Sequence, residues 1–466
     1  MACYNFSHEP REVPFVRTRF RNIQTRLPAP ESLPVLRDLE KYECRSMHGQ
    51  YPVVWDRASN FQVWDRAGNC WIDFTSTIFV ANAGHANPEI KKALKSIIEH
   101  DLLHSYTFAT QIRADYLKKL IEFVPEPFEK AFLLSSGTEA TECAIKLIRM
   151  WGKENGKSRG GIISFEDSMH GRTMGAQMLG GNPDSRSWIG FDDPNIHRLP
   201  FPYPWYMVEK GKNMDGAELF ERDVKELLQS KNINKEQDIS GFIIESYIGW
   251  GAVFFPKDYI EALVEFARDN NIIVCFDEIQ GGFGRTGKLF AYQHYGVEPD
   301  LICCGKGMSS SLPLSAVIGR PTIMDIPEIG SMSSTHSAHP LSCAAGLANI
   351  GVIEKQNLVS EAARKGDILF SKLYEIQKKY PKRIRYIMGK GLVAALLLYD
   401  PDTGLADGTT ASRICERAMQ KGLLLVHTGR ESIKLGPPLT IPDEALVEGL
   451  DVLDESTREI IGSMGK

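Results

Sequence analysis

The feature that most constrains the fold is an alternation of short apolar runs with amphipathic stretches between about residues 80 and 320. Strands that alternate with helices favour a mainly parallel sheet with helices on both faces, which is an α/β fold. Functional sites in such sheets lie at the carboxyl ends of the strands. The apolar runs predict strands at 131–134, 161–165, 241–245, 272–276 and 301–304.

The regions on either side of this alternation have other patterns. Residues 51–74 contain β-branched and aromatic runs interrupted by turn residues, a pattern typical of antiparallel strands. Near the C-terminus, a long helix after His339-Pro340, strands near 392–399 and 422–427, and a final helix from about Asp443 are predicted. These elements indicate a smaller α+β domain.

A chain of 466 residues is long enough for two or three domains. We expect three units: an N-terminal arm with part of the small domain (1–75), a large domain with the mainly parallel sheet (76–335) and a C-terminal small domain (336–466).

Composition argues against several function classes. The net charge of −5 and the lack of a dense Lys/Arg run argue against nucleic-acid binding. The sequence shows no signal-peptide pattern and no run of about 18 apolar residues, so we expect a cytoplasmic protein that does not enter a membrane. Nine scattered cysteines without CxxC pairs argue against a disulfide framework and a metal site.

A carboxylate and a lysine follow two of the predicted strands. The run NIIVCFDEIQGGFGRTG ends its strand at Asp277, and PDLICCGKG ends its strand at Gly305-Lys306-Gly307. Pyridoxal-5′-phosphate (PLP) chemistry requires this pair, because lysine forms an imine with the cofactor aldehyde and a carboxylate keeps the pyridine nitrogen protonated. Taken alone, the two residues also fit a lysine reaching for solvent and an aspartate capping a helix.

The two motifs decide between these interpretations. DEIQGGFGRTG at Asp277–Gly287 and CCGKG at Cys303–Gly307 resemble the signature of the class III aminotransferases, a PLP family of fold type I. Weaker similarity extends from about residue 51 to 440. The resemblance implies a transaminase that moves an amino group from an amine or amino acid to an aldehyde or keto acceptor by a ping-pong mechanism, with Lys306 as Schiff-base residue, general base and general acid.

The resemblance also implies cofactor contacts. Backbone N–H groups of Gly137 and Thr138 at a helix N-terminus would hold the phosphate. Gln280 would donate to the phenolic oxygen, with Glu245 beside it. The full set of matching positions is Ser136, Gly137, Thr138, Met169, His170, Glu245, Asp277, Gln280, Lys306 and Thr335.

Two of these positions carry further expectations. Relatives have an aromatic residue where Met169 stands, and its thioether can still pack on a flat ring. Thr335 matches a threonine that reaches the phosphate of the neighbouring subunit, which implies a homodimer with shared active sites and leaves a tetramer open.

Substrate recognition departs from the family pattern. Trp250 and Lys434 occupy positions where many glutamate-using relatives have a glutamate and a carboxylate-binding arginine. Trp250 cannot form the salt bridge, and lysine lacks the planar guanidinium. Either Arg430 binds the carboxylate, or Lys434 does, or one substrate has no α-carboxylate. We hypothesise an aminosugar or aminocyclitol acceptor on Trp250, the alternative being an ω-amino acid or diamine such as 4-aminobutyrate or ornithine.

Two other activities deserve comparison. GFGRTGK at Gly282–Lys288 fits the spacing of a nucleotide-binding P-loop, but Leu289 follows where a Mg²⁺-binding hydroxyl is needed. Relatives of the family include racemases, aminomutases and lyases that use the same lysine and carboxylate. The pattern favours amino transfer over both.

Overall fold

The computed structural model describes residues 4–205 and 214–463 and confirms the α/β class. The strands are β1 (Val16–Arg17), β2 (Asn22–Ile23), β3 (Arg57–Ser59), β4 (Gln62–Trp64), β5 (Cys70–Asp73), β6 (Lys130–Leu134), β7 (Gly161–Phe165), β8 (Ile196–Leu199), β9 (Ile239–Glu245), β10 (Ile273–Asp277), β11 (Leu301–Cys304), β12 (Ser315–Gly319), β13 (Ile384–Lys390), β14 (Val393–Leu398), β15 (Leu423–Leu424), β16 (Val426–His427) and β17 (Ser432–Leu435).

The α-helical segments are α1 (Leu33–Tyr42), α2 (Ser76–Phe79), α3 (Pro88–Glu99), α4 (Gln111–Phe123), α5 (Gly137–Glu154), α6 (Met174–Leu179), α7 (Pro183–Arg186), α8 (Gly216–Ser230), α9 (Lys235–Asp238), α10 (Lys257–Asp269), α11 (Pro321–Met324), α12 (Pro340–Lys355), α13 (Leu358–Lys379), α14 (Gly408–Gln420) and α15 (Asp443–Ser463). None of them, in the part of the chain described, is both long and apolar enough to cross a membrane.

The central sheet has seven strands in the order β6-β12-β11-β10-β9-β7-β8. Only β12 runs antiparallel to its neighbours, so the mainly parallel sheet is confirmed. All five predicted strands are present. β8 and β12 were not predicted, because β8 has polar residues at its centre and β12 is a five-residue run ending in glycine.

Strand register places the site. Asp277 at the end of β10 lies beside Glu245 on one neighbouring strand and beside Cys303 on the other. Lys306 follows Cys303 by three residues. Because these strands run parallel, the two carboxylates and the lysine are brought to one edge of the sheet.

Two smaller sheets lie outside the central one. One has the order β13-β14-β17-β16, and the other has the order β1-β2-β5-β4-β3 with β15 added beside β5. The pair of β5 and β15 joins residues 70–73 to residues 423–424, and Trp71 Nε1 donates to the Met419 carbonyl at 2.8 Å. The division into 1–75, 76–335 and 336–466 stays a prediction.

Candidate active site

Lys306 begins a short 3₁₀ turn, Lys306–Met308, directly after β11. Its φ of 43° lies in the left-handed region, where a non-glycine residue is strained and such strain concentrates at functional sites. Burial lowers the pKa of the Lys306 amine, while Asp277 and Glu245 act in the opposite direction. An amine with a lowered pKa is a better nucleophile at neutral pH than an ordinary lysine.

The Asp277 carboxylate is held by two hydrogen bonds. Its Oδ2 lies 2.9 Å from His170 Nδ1, and its Oδ1 accepts from the Ile279 backbone N–H at 3.1 Å. Asp277 and His170 are both buried. His170 Nε2 is buried without a partner among the described residues, so the histidine contacts the carboxylate through one nitrogen only.

Glu245 is the second buried carboxylate of the site. Its Oε2 accepts from the Met169 backbone N–H at 3.0 Å. Burial raises the pKa of Glu245 to about 7, with nearby His170 lowering it and Asp277 raising it further. The two carboxyl groups have different hydrogen-bond partners, although they lie on neighbouring strands.

Two glycines near Lys306, Gly137 and Gly305, are in close contact with the side chain of Ile279. A Cβ on Gly137 would come within 2.9 Å of Ile279 Cδ1, and a Cβ on Gly305 would come within 3.3 Å of Ile279 Cγ2. Both glycines are close to each other and to the lysine. Ile279 therefore leaves no room for a larger residue at position 137 and little room at position 305.

The start of α5 is a candidate site for an anion. Ser136 is the N-cap residue, and its backbone N–H donates to Glu139 Oε2 at 2.7 Å. Thr138 Oγ1 pairs with Thr173 Oγ1 at 2.6 Å. The first backbone N–H groups of a helix have no partner within the helix and attract a phosphate. The lysine, the carboxylate and the helix start together fit PLP.

One cavity of about 560 Å³ unites most of the predicted residues. Those that line it are Gly137, Thr138, Met169, His170, Glu245, Trp250, Asp277, Gln280, Lys306 and Lys434. Ser136 and Arg430 do not line the cavity. Thr335 lies in an exposed turn and is also absent from the lining.

Lys434 is engaged with protein groups. Its side chain is only 3% exposed, and its Nζ donates to Gln280 Oε1 at 2.8 Å and to the Gly249 carbonyl. Nζ also lies 4.4 Å from the centre of the Phe79 ring. Burial and the charge of Lys306 lower the pKa of Lys434 to about 7.

Arg430 lies against Trp250. Its guanidinium carbon is 3.7 Å from the centre of the indole ring, and it pairs with Asp167 at 3.7 Å. The indole Nε1 donates to the Tyr203 hydroxyl at 3.2 Å, and that hydroxyl donates to Asp167 at 2.8 Å. Trp250, Tyr203, Asp167 and Arg430 therefore form a closed ring of contacts next to the cavity.

Several residues of the site were not predicted. Gln50, Ile78, His427 and Thr428 line the cavity, but they stand far from both motifs in the sequence and in no recognisable pattern. Arg285 could be predicted as a residue of the site, because it belongs to the motif DEIQGGFGRTG. It is fully buried and donates to the carbonyls of Leu392 and Pro437 and to Asn82 Oδ1.

The Gly282–Lys288 run does not form a P-loop. It follows Glu278 in a series of turns and leads into the 3₁₀ turn Ala291–His294 instead of an α-helix. A P-loop needs the helix start, whose backbone N–H groups bind phosphate.

A lysine and an aspartate at the ends of neighbouring parallel strands, beside a helix start, define a PLP enzyme of fold type I. The family model for aminotransferase class-III matches residues 44–456, and the chain belongs to this family. It is a PLP-dependent aminotransferase.

Known relatives agree with this family. The chain is 34% identical over 408 residues to a probable 4-aminobutyrate aminotransferase of Bacillus subtilis, covering 85% of this chain and 91% of the relative. It is 32% identical over 426 residues to an ornithine aminotransferase of Saccharomyces cerevisiae, covering 89% and 95%. The crystal structure of the ornithine aminotransferase from Toxoplasma gondii matches with a TM-score of 0.80 and 26% identity, covering 93% and 96%.

Proposed function

We propose that Lys306 is the residue that attaches PLP and moves the proton during amino transfer. The observation that carries this proposal is the position of Lys306, which lines the same cavity as Asp277 and Glu245 and is subject to the charge of both carboxylates. Bound PLP supplies an aldehyde for covalent attachment and a cationic ring that accepts electrons. Lys306 Nζ would take a proton from the substrate carbon that bears the amine and would deliver it to the aldehyde carbon of the cofactor.

Other side chains would hold the cofactor. Asp277, fixed by His170 and the Ile279 N–H, would pair with the pyridine nitrogen. Gly137 and Thr138 would bind the phosphate with the backbone N–H groups that begin α5, and Ser136 would fix that helix start as its cap. Gln280 would donate to the phenolic oxygen, with Glu245 nearby, and Met169 would pack on the ring.

Reductive trapping tests the role of Lys306. Borohydride treatment of the PLP-loaded protein should fix the cofactor to one peptide, and mass spectrometry should locate it on Lys306. The Lys306→Ala variant should lose both the trapped adduct and amino transfer. A matched control is Lys365→Ala, which removes another buried lysine and should leave the adduct in place. An adduct on any other lysine would overturn the proposal.

For the substrate, we propose an ω-amino acid or diamine whose reacting carbon carries no carboxylate. Two observations support this. Trp250 cannot pair with a carboxylate-binding cation as a glutamate does, and Lys434 already donates to Gln280 and Gly249. The relatives named for 4-aminobutyrate and ornithine act on amines of this type. A distal carboxylate could pair with Arg172, which lines the cavity, or with Arg430, which lies next to it and would have to leave Asp167.

An aminosugar or aminocyclitol acceptor is the second candidate. It rests on Trp250, which lines the cavity and offers an aromatic surface. Against it, the Arg430 guanidinium already covers one face of the indole. A sugar ring would have to use the other face or displace the arginine.

Half-reaction spectroscopy separates the two substrates. PLP-loaded protein should lose its visible absorption rapidly with 4-aminobutyrate or ornithine and slowly with aminoglycosides. The reverse order would favour the second candidate. Turnover that does not need an added keto acid would indicate a racemase, an aminomutase or a lyase.

We propose a homodimer in which Thr335 reaches the phosphate of the other subunit. Two observations support this arrangement. Thr335 is exposed and lies outside the cavity of its own chain. His336, which follows Thr335 in the chain, has its ring centre 5.3 Å from that of His104. The segment around His104 contains the exposed apolar residues Leu103 and Phe108. The cytoplasm stays the predicted compartment, and a tetramer stays open.

A further inference from the structure

Lys434 connects two parts of the chain at the active site. It lies in β17, within the four-stranded sheet near the C-terminus, and pairs there with Ala395 and Val426. Its amine leaves that sheet and donates to groups of two loops that follow β9 and β10, the Gly249 carbonyl and the Gln280 amide oxygen. Both acceptors belong to the edge of the central sheet that carries Lys306.

The surroundings of the amine leave little place for a substrate carboxylate. A carbonyl, an amide oxygen and the Phe79 ring already contact it. A lysine ammonium has three N–H donors, and protein acceptors take two of them. A carboxylate could reach only the remaining N–H, so Lys434 could not give it the two parallel hydrogen bonds that an arginine offers.

The same contact determines which way the Gln280 amide points. A lysine ammonium can only donate, so the group that faces it must be the amide oxygen. The amide Nε2, the donor end, therefore points away from Lys434. Gln280 lines the cavity that also contains Lys306. The Nε2 donor of Gln280 is therefore available to an acceptor bound in that cavity.

We infer that Lys434 is a positioning residue that orients Gln280 so that its N–H donor faces the phenolic oxygen of bound PLP. This inference rests on the proposed roles of Lys306 and Gln280. The charge of the amine strengthens the contact, because hydrogen bonds from charged donors are stronger than neutral ones. Lys306 and Arg285 oppose that charge, and Glu245 favours it.

Three variants test the inference: Lys434→Met, Gln280→Leu and the double variant. A hydrogen bond to the phenolic oxygen sets the pH at which the visible absorption of lysine-bound PLP titrates. We expect the titration midpoint of both single variants to shift by about one pH unit in the same direction, and the double variant to shift no further. Separate, additive shifts would overturn the inference.

Half-reaction kinetics supply a second readout. Lys434→Met should lower the maximal rate about tenfold, which corresponds to the loss of one charged hydrogen bond. The loss should be the same for an amino donor with an α-carboxylate and for one without. L-alanine and 4-aminobutyrate are suitable probes. A rise in the apparent Kd for L-alanine alone, with the titration unchanged, would show that Lys434 binds the substrate carboxylate.

Controls separate these outcomes from unfolding and from failure of the proposed function. Lys365→Met removes another buried lysine, which donates to the Leu439 carbonyl, and should leave the titration midpoint unchanged. Lys434→Arg keeps the charge and the donors, so it should restore most of the midpoint and remains usable if Lys434→Met does not fold. Absence of any borohydride-trapped cofactor in the unmodified protein would instead refute the role of Lys306.

Discussion

Asp277 shows how a single residue depends on its immediate contacts. Its carboxylate accepts from the Ile279 N–H and lies 2.9 Å from His170. These contacts hold both oxygens at the end of β10. A carboxylate held in place before the reaction can keep a pyridine nitrogen protonated without having to reorganise.

Removing the charge of Asp277 tests this role. Asp277→Asn keeps the shape and an acceptor for the Ile279 N–H, so we expect a folded protein. Its kcat/KM should fall by about 10²–10³-fold, the usual cost of losing one preorganised electrostatic group. Steady-state kinetics with saturating PLP provide the measurement.

A matched control lies at the other end of the same strands. Asp300 accepts from the Val274 N–H at 2.9 Å, and Asp300→Asn should leave kcat/KM almost unchanged. Equal losses in both variants would show that Asp277 acts through the fold alone.

Glu245 predicts a pH dependence of stability. Burial raises its pKa from 4.5 to about 7. Between pH 4.5 and pH 7 the folded protein therefore keeps a proton on Glu245 that the unfolded chain has released. Stability from this group is therefore present at low pH and is lost as the pH rises towards 7 and above. The upper limit of the effect is about 3 kcal/mol.

Comparison with Glu245→Gln isolates this effect. Between about pH 5 and pH 8 the unfolding free energy of the PLP-free parent should fall relative to that of the PLP-free variant. The size of the fall should follow the pKa shift of Glu245. Urea unfolding at several pH values measures it. A difference that stays constant with pH would mean that Glu245 is not the titrating group.

At the scale of elements, α2 is the unusual one. Its four residues Ser76–Phe79 have φ values of 48°, 51°, 60° and 68°, so the turn is left-handed. Left-handed conformations cost L-residues roughly 1–2 kcal/mol each. Buried Arg285 lies 5.5 Å from the Phe79 ring, and the Ser76 hydroxyl donates to the Gly436 carbonyl at 2.7 Å. These contacts hold the turn so that Ile78 lines the cavity.

Glycine in this turn should relieve the strain. Thr77 is exposed with φ 51°, and Thr77→Gly should stabilise the protein by up to about 1 kcal/mol, because glycine tolerates this conformation. Thr322→Gly, at an exposed position of the right-handed helix α11, should destabilise by about 0.5 kcal/mol. Urea unfolding of the PLP-free protein compares them, and a loss in both variants would contradict the argument.

At the scale of the whole molecule, the proposed dimer makes each site depend on two chains. If Thr335 reaches the neighbouring phosphate, Thr335→Val should weaken PLP binding about 10–100-fold, through loss of a hydrogen bond to a charged group. Equilibrium titration of the PLP-free protein measures the affinity. Ser333→Ala, also exposed in the same segment, should leave it unchanged.

Mixed dimers provide the decisive test of sharing. A dimer of one Lys306→Ala chain and one Thr335→Val chain contains one site with both changes and one with neither. Random reassociation of equal amounts should therefore restore about a quarter of the sites to full PLP affinity. If mixing restores no activity, Thr335 acts within its own chain.

The sequence by itself determined the sheet, the family and the central pair of the site. Apolar runs and strand-end residues are local signals, because the chain that forms a strand also ends it with Asp277 or leads from it to Lys306. The five predicted strands and the cavity position of both residues followed from this. β8 and β12 were missed because their patterns are short and mixed.

Only the tertiary structure decided how Lys434 and Arg430 are used. Lys434 contacts groups that lie 154 and 185 positions away in the chain, and Arg430 stacks on Trp250 from the turn between β16 and β17. No local pattern encodes such pairs, because they arise when separate elements pack together. The left-handed turn at Ser76–Phe79 is similar, since its own residues favour other conformations and the packing around Arg285 and Gly436 maintains it.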